Sequence, residues 1–383
     1  MKDGNNCYLD YNASTPLHPK VLEKFNEVTA LYANPSSAHL GGNNASHEIE
    51  SAKKNIANVI NCSTSEIWFT SGGTESNNWF LKGLVQPALK NGKKHFIISS
   101  IEHKSILRTA KYISESYNLD LTLLPVNADG IVELNDLKNA IREDTYLVSV
   151  MLANNETGII QPIKEIAQIC KEKNVICHTD AVCSLGKMPI DFKALGVDSM
   201  SFSAHKLYSP KGVGVLILKE NIEIDPLIHG CGQQCGMRNG TENAAGAAAF
   251  GRALELLEQG EFANQTSSEE LSAVLKLGLQ ESFNDRVTFH GNGDRLSNTI
   301  SATFEGMSAD FLQTELSNHG ICVSAGAAAT TGDPSHVLTA MKISKEVAQS
   351  TLRISFGWGT TKEDISYFVN TISKIYETEK VLS

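Results

Sequence analysis

Lys206 ends the run Ser203-Ala204-His205-Lys206 at the close of a strand-like segment, and Asp180 ends a second one, His178-Thr179-Asp180. An amine at a strand terminus can form a Schiff base with a cofactor aldehyde, and a carboxylate can hold a pyridine nitrogen protonated. These are the two protein groups that pyridoxal phosphate chemistry needs most. Taken alone, the same residues read more simply as a surface lysine and a helix-capping aspartate of an ordinary α/β enzyme. Their company along the chain decides between the two readings.

Thr70-Ser71-Gly72-Gly73-Thr74-Glu75 follows a predicted strand and opens a predicted helix. Glycines there let backbone N–H groups approach a phosphate, Thr74 adds a hydroxyl, and a helix N-terminus favours an anion. The lysine of a Walker loop is missing, and a plain glycine-rich turn is the alternative. His103 follows another strand, where an imidazole could stack on an aromatic cofactor or simply cap a helix. Asn154-Asn155-Glu156-Thr157-Gly158 follows a third and offers amides to a cofactor hydroxyl or to substrate. With Asp180 and Lys206, five strand ends present polar groups toward one edge, and open α/β sheets bind ligands outside the carboxyl ends of their strands.

The elements that must position these groups alternate along the chain. Segments 67–70, 95–99, 121–126, 146–151, 175–180, 199–203 and 213–218 read as strands. Segments 76–85, 106–116, 134–141 and 163–173 read as amphipathic helices, so the predicted core is α/β with a mostly parallel sheet. An alanine-rich helix over 242–257 precedes a polar boundary at 258–270. Beyond it, strands at 286–289, 299–304 and 352–356 mix with helices as a smaller α+β unit.

A chain of 383 residues suits two domains. Its 41% hydrophobic and 20% charged residues fit a globular enzyme. The formal charge of −10 argues against nucleic acid or an anionic membrane as the main partner. No apolar run is long enough to span a bilayer, and the N-terminus lacks an apolar signal region. Eight cysteines lie scattered, without a secreted disulfide framework, so a reducing cytoplasm is the expected location. Cys231 and Cys235 lack a nearby second pair, and no metal is expected.

Further stretches extend the set: Tyr8–Pro16, Asn34–His39, Glu102–Lys104, Gly236–Asn243 and Leu352–Gly357. In order, these motifs resemble the class V, fold-type I pyridoxal phosphate enzymes, and within them the NifS/IscS-like cysteine desulfurases, over nearly the whole chain. The resemblance implies a fold-type I transferase, with a large domain at 15–257 built on a mostly parallel seven-stranded sheet. A smaller α+β domain would comprise 1–14 and 258–383 and carry a catalytic loop at about 322–335. It further implies a homodimer with the active site at the subunit interface, L-cysteine as substrate and a protein as sulfur acceptor. Lys206 would tether pyridoxal 5'-phosphate and shuttle protons, Asp180 would pair with its ring nitrogen, and His103 would stack on the ring and serve acid–base steps. Gly73, Thr74, Ser203 and His205 would hold the phosphate, with Thr241 from the second subunit. Asn155 would touch substrate or the cofactor hydroxyl, and Arg353 would grip the substrate carboxylate, with Asn34 nearby.

Two positions depart from the family pattern. Cys183 stands where a glutamine usually donates to the cofactor's phenolic oxygen, and a thiol is a weak donor. More seriously, the loop frame Ser324-Ala325-Gly326-Ala327-Ala328-Ala329 leads to Pro334-Ser335-His336-Val337-Leu338 with Ala329 at the position of the nucleophilic cysteine. A methyl group cannot attack sulfur, so this sequence is expected to lack sulfur-transfer activity. An engineered cysteine-to-alanine change, a naturally silent scaffold or regulator, and a substitute thiol such as Cys183 or Cys322 are the competing explanations. Selenocysteine cleavage remains an alternative reaction for the same residues.

Overall fold

The computed structural model describes residues 7–325 and 334–382. Its strands, in chain order, are β1 (Cys7–Tyr8), β2 (Ile67–Thr70), β3 (His95–Ser99), β4 (Asp120–Leu124), β5 (Thr145–Ser149), β6 (Ile176–Asp180) and β7 (Ser199–Ser203). They continue with β8 (Gly214–Leu218), β9 (Val287–Phe289), β10 (Thr299–Phe304), β11 (Ile321–Cys322), β12 (Ser324–Ala325) and β13 (Thr351–Ser355). A seven-stranded sheet runs β2-β8-β7-β6-β5-β3-β4, and β8 alone opposes the other strands.

Every residue of β3, β5, β7 and β8 is buried, as expected of strands covered by helices on both faces. Alternate residues divide between two apolar clusters. Ile97, Val148, Met200, Phe202 and Val215 face one layer, and Phe96, Ile98, Leu147 and Leu216 face the other. In β7 the intervening positions are Ser199, Ser201 and Ser203. These small side chains leave room for the helix Gly73–Gly83, which lies over β7 and β8.

The strands agree with the sequence reading to within a residue or two, because continuous apolar runs bounded by turn residues leave little freedom of assignment. Two helices of the N-terminal third, Pro19–Thr29 and Leu40–Ile60, escaped that reading. Both pack on the alanine-rich helix, which spans Ala244–Glu258 and is capped by Asn243, whose Oδ1 accepts from Gly246 N–H at 2.9 Å. A Cβ on Gly251 would lie 2.6 Å from Ala52 Cα, so small residues at this crossing are a packing requirement.

A third apolar cluster lies outside the large sheet and joins Leu9 with Leu275, Ile300, Leu312, Leu352 and Phe368. It covers the antiparallel sheet β12-β13-β10-β9. The N-terminal strand is built into this unit: β1 pairs in parallel with β11, and Asp10 bridges to Ser355. The chain then crosses to the large sheet, where Thr15 N–H donates to His205 O at 3.0 Å. Residues 10–15 therefore run past the carboxyl edge where the candidate groups gather. No helix among the described residues is long and apolar enough to cross a membrane.

Candidate active site

The glycine-rich turn after β2 delivers a helix start. The helix begins at Gly73, three residues earlier than the sequence reading placed it, so the first free N–H groups belong to the turn itself. A Cβ on Gly73 would meet Val182 Cγ2 at 2.6 Å and Ser203 Cβ at 3.5 Å. Gly73, Ser203 and the turn after Asp180 thus meet at one point. Thr74 is exposed at its mouth. Glu75 closes the turn by accepting from Ser71 N–H at 2.9 Å and from Arg238 Nε at 2.8 Å.

Asp180, at the end of β6, is buried and held on both oxygens. Its Oδ1 accepts from Val182 N–H at 2.9 Å and its Oδ2 from Asn77 Nδ2 at 2.7 Å. Asn77 Nδ2 also donates to Ser105 Oγ at 2.9 Å, and Ser105 Oγ lies 2.8 Å from His103 Nδ1. His103 is the N-cap of the helix Lys104–Tyr117, accepting from Ser105 N–H at 3.1 Å. The helix-capping reading is realised, and the same ring is linked through Ser105 and Asn77 to Asp180. Burial holds its imidazole below the ordinary range despite the nearby Asp180 carboxylate.

Lys206 lies in a short turn directly after β7. Its ammonium donates to Asn12 O and, at 2.9 Å, to Ala13 O, and burial lowers its pKa. A second amine shares the region. Lys187 Nζ donates to Asn12 Oδ1 at 2.8 Å, and burial brings it down to about 8. Lys206 and Arg353 add to that shift, while Cys183, a buried thiol beside both lysines, opposes it. His205 points its Nδ1 to Ser14 Oγ at 3.2 Å and is lowered to about 4 by burial and by Lys206, Lys211 and Lys187. It is neutral at pH 7 and able to donate without adding charge.

Arg353, on β13, enters from the smaller unit. Its Nη2 donates to Asp10 Oδ1 at 2.7 Å and to Ser324 Oγ at 2.9 Å, and its Nη1 reaches Asn155 O at 3.4 Å. Its Nε is buried without a partner among the described residues, a donor left for an anion. Asn155 contributes its carbonyl to Arg353 and to Asn12 Nδ2, the latter at 3.1 Å.

Two acids line the floor. Glu102 is fully buried, accepts from Ser99 Oγ at 2.6 Å and Met151 N–H at 2.7 Å, and is pushed up to about 8 by burial. Glu156 is raised by burial and accepts from Ser335 Oγ. His336 Nε2 donates to Glu102 O at 2.9 Å. The frame Ser335-His336 is thereby fastened beside His103, whereas Ala329 lies outside the described residues.

Asn34 and Thr241 do not join this group within one chain. Asn34 is exposed and closes its own turn, accepting from Ser36 N–H at 2.9 Å, and no hydrogen bond ties it to Arg353. Thr241 is exposed before the alanine-rich helix. The sequence reading missed Asn12, Asn77, Ser105 and Lys187, which sit inside or beside its motifs and carry no periodic signal. Glu102 stood in a quoted motif without a role.

A mostly parallel sheet that gathers a lysine, a buried aspartate and a glycine-started helix at its carboxyl edge defines a cofactor-type α/β enzyme. The Aminotransferase class-V family model matches residues 7–368, and the chain belongs to that family. It is 40% identical over 382 residues to Cysteine desulfurase IscS of Clostridium botulinum, covering 98% of this chain and 96% of the relative. Among solved structures, a NifS-like protein matches with TM-score 0.90 and 38% identity over 97% of this chain and 100% of its own. SspA in complex with cysteine matches with TM-score 0.79 and 36% identity over 92% and 99%.

Proposed function

We propose that this chain is built as a pyridoxal phosphate-dependent L-cysteine desulfurase, with Ala329 in place of the sulfur-accepting thiol. The observation that carries the reading is the convergence of Lys206, Asp180 and Arg353 from three elements, close enough for the charges of Asp180 and Arg353 to act on the Lys206 amine. The residues fit the cofactor. A glycine cradle closed by Val182 and Ser203 leaves N–H groups for a phosphate, Asp180 is oriented on both oxygens, and the Lys206 amine has a lowered pKa. Gly73, Thr74, Ser203 and His205 would hold the phosphate, Asp180 the ring nitrogen, and Lys206 the aldehyde carbon.

When bound, pyridoxal phosphate supplies an electron sink that stabilises charge at the carbon bearing the substrate amine. Everything else falls to the chain. Arg353 orients an amino acid by its carboxylate, using a planar fork that also bonds Asp10. Lys206 would move protons at that carbon. Cys183 has no donor strength to replace a glutamine, and Lys187, beside it, is the amine available to an anionic cofactor oxygen.

Sulfur removal needs a thiolate, and position 329 offers a methyl group. Cys322 is a poor substitute, because burial and Asp10 push its thiol up. The fastened Ser335-His336 frame favours an otherwise intact site from which the nucleophile has been removed. A natural alanine in the source gene would favour the second reading, a silent scaffold or regulator. Selenocysteine would fit the same pocket.

The relative solved with cysteine supports cysteine as substrate. We further propose a large domain at 15–257, a smaller one from 1–14 and 258–383, a homodimer and a cytoplasmic location. Tyr32, 98% exposed beside Asn34, and the exposed Thr241 are surfaces that a second copy would cover. The sulfur acceptor would be a protein. Adding L-cysteine to the loaded protein should change the cofactor absorbance without releasing sulfide. An unchanged spectrum would sink the assignment.

A further inference from the structure

We propose that Asn77 and Ser105 are positioning residues that join Asp180 to His103 and hold His103 as the tautomer carrying its proton on Nε2. The Asn77 links have one allowed direction, and the backbone N–H of Ser105 fixes the direction at His103 Nδ1. Asn77 Nδ2 has two hydrogens, and the structure places an acceptor on each, Asp180 Oδ2 at 2.7 Å and Ser105 Oγ at 2.9 Å. Turning the amide over would set its oxygen against a carboxylate. Its Oδ1 stays buried and partnerless, so the two donations dictate the orientation.

Ser105 Oγ, accepting from Asn77, has its own proton free for His103 Nδ1 at 2.8 Å. Ser105 N–H points at the same nitrogen from 3.1 Å. Two donors on one lone pair leave no place for a proton on Nδ1, so the neutral ring carries it on Nε2. The groups facing the imidazole agree. Burial opposes a positive ring most, Asp180 favours it, and Lys206, His336 and Lys104 oppose it again.

His103 is then a fixed Nε2–H donor, which narrows the acid–base role expected from sequence and leaves proton shuttling to Lys206. That consequence rests on the desulfurase reading. The tautomer does not, because it follows from the chain's own groups and is measurable without substrate.

The test is 15N NMR of histidine-labelled full-length protein without added cysteine, titrated through the neutral range, with His103 identified by its loss in His103→Gln. The parent should show an unprotonated Nδ1 and a protonated Nε2, with the ring titrating below 6.5. Ser105→Ala keeps the backbone N–H on Nδ1 and loses only the hydroxyl donor, so Nε2 should stay protonated while the Nδ1 resonance shifts and the titration moves toward 6.5, and Ser105→Thr should restore the parent signals. Asn77→Ala should move His103 in the same direction, and the double variant should add little to the larger single effect, as expected of one chain of bonds. Circular dichroism separates unfolded variants, for which Ser105→Thr and the parent titration still decide. A protonated Nδ1 in the parent, or parent-like signals in Ser105→Ala, would overturn the proposal. Failure here would leave the reaction class standing, since the response to cysteine is read separately.

Discussion

Arg353 Nη2 lies 2.7 Å from Asp10 Oδ1, so the guanidinium proposed to receive a substrate carboxylate already carries one anion. The pair is mostly buried, and Ser324 Oγ bonds both partners. A second carboxylate must share the fork. Arg353→Lys, with one point charge for three acceptors, should weaken cysteine binding by about 2 kcal/mol, roughly 30-fold in Kd. Asp10→Asn should tighten it, because the competing anion is gone. Titration of the loaded protein with cysteine reads both, and equal affinities across the three proteins would refute the sharing.

Lys206 and Lys187 both donate to Asn12 and both have lowered pKa values, yet only Lys206 stands at the end of β7. Borohydride reduction of the loaded protein followed by peptide mass mapping should label Lys206 alone. Lys206→Ala should lose the tethered absorbance, and Lys187→Met should keep it with a shifted pH dependence. A label on Lys187 would reverse the assignment.

Ala329→Cys should turn a protein that responds to cysteine without turnover into one that forms a persulfide. Cys183→Ala and Cys322→Ala, in that background, should leave sulfur release within about twofold, since neither thiol is asked to attack. Persulfide trapping by alkylation identifies the residue. Sulfide release from the parent chain that disappears with either of those cysteines would point to a substitute nucleophile.

Glu102 offers a pH test of the buried floor. Its carboxyl titrates near 8 in the folded protein, against 4.5 ordinarily, so folding retains a proton that the unfolded chain releases. The stability tied to this group is complete below the lower value and lost as pH rises through 8. Glu102→Gln should remove that loss, narrowing the gap in urea stability between about pH 5 and pH 9 by on the order of 2–4 kcal/mol. An unchanged gap would place the titration elsewhere.

Gly73→Ala should cost cofactor affinity at least about tenfold while leaving secondary structure intact, because its Cβ would sit 2.6 Å from Val182 Cγ2. Val182→Ala in the same chain should recover part of the loss. Fluorescence or absorbance titration with pyridoxal phosphate measures both.

Composition, periodicity and motif order determined much of this protein without coordinates. The seven strands, their helices, and the placing of Gly73, His103, Asn155, Asp180 and Lys206 at strand ends were readable because each is a local signal. The alanine at position 329 was readable too, since it is a matter of residue type. Only tertiary structure decided which groups touch them. Asn12 reaches Lys206 across 194 positions and Asn77 reaches Asp180 across 103, separations at which side-chain type says nothing about partner. The helices at 19–29 and 40–60 were likewise missed, and only the structure shows that both pack on the alanine-rich helix. Local chemistry named the candidate groups, while their partners and orientation came from packing, which brings distant segments together at one sheet edge where most buried polar atoms find a partner.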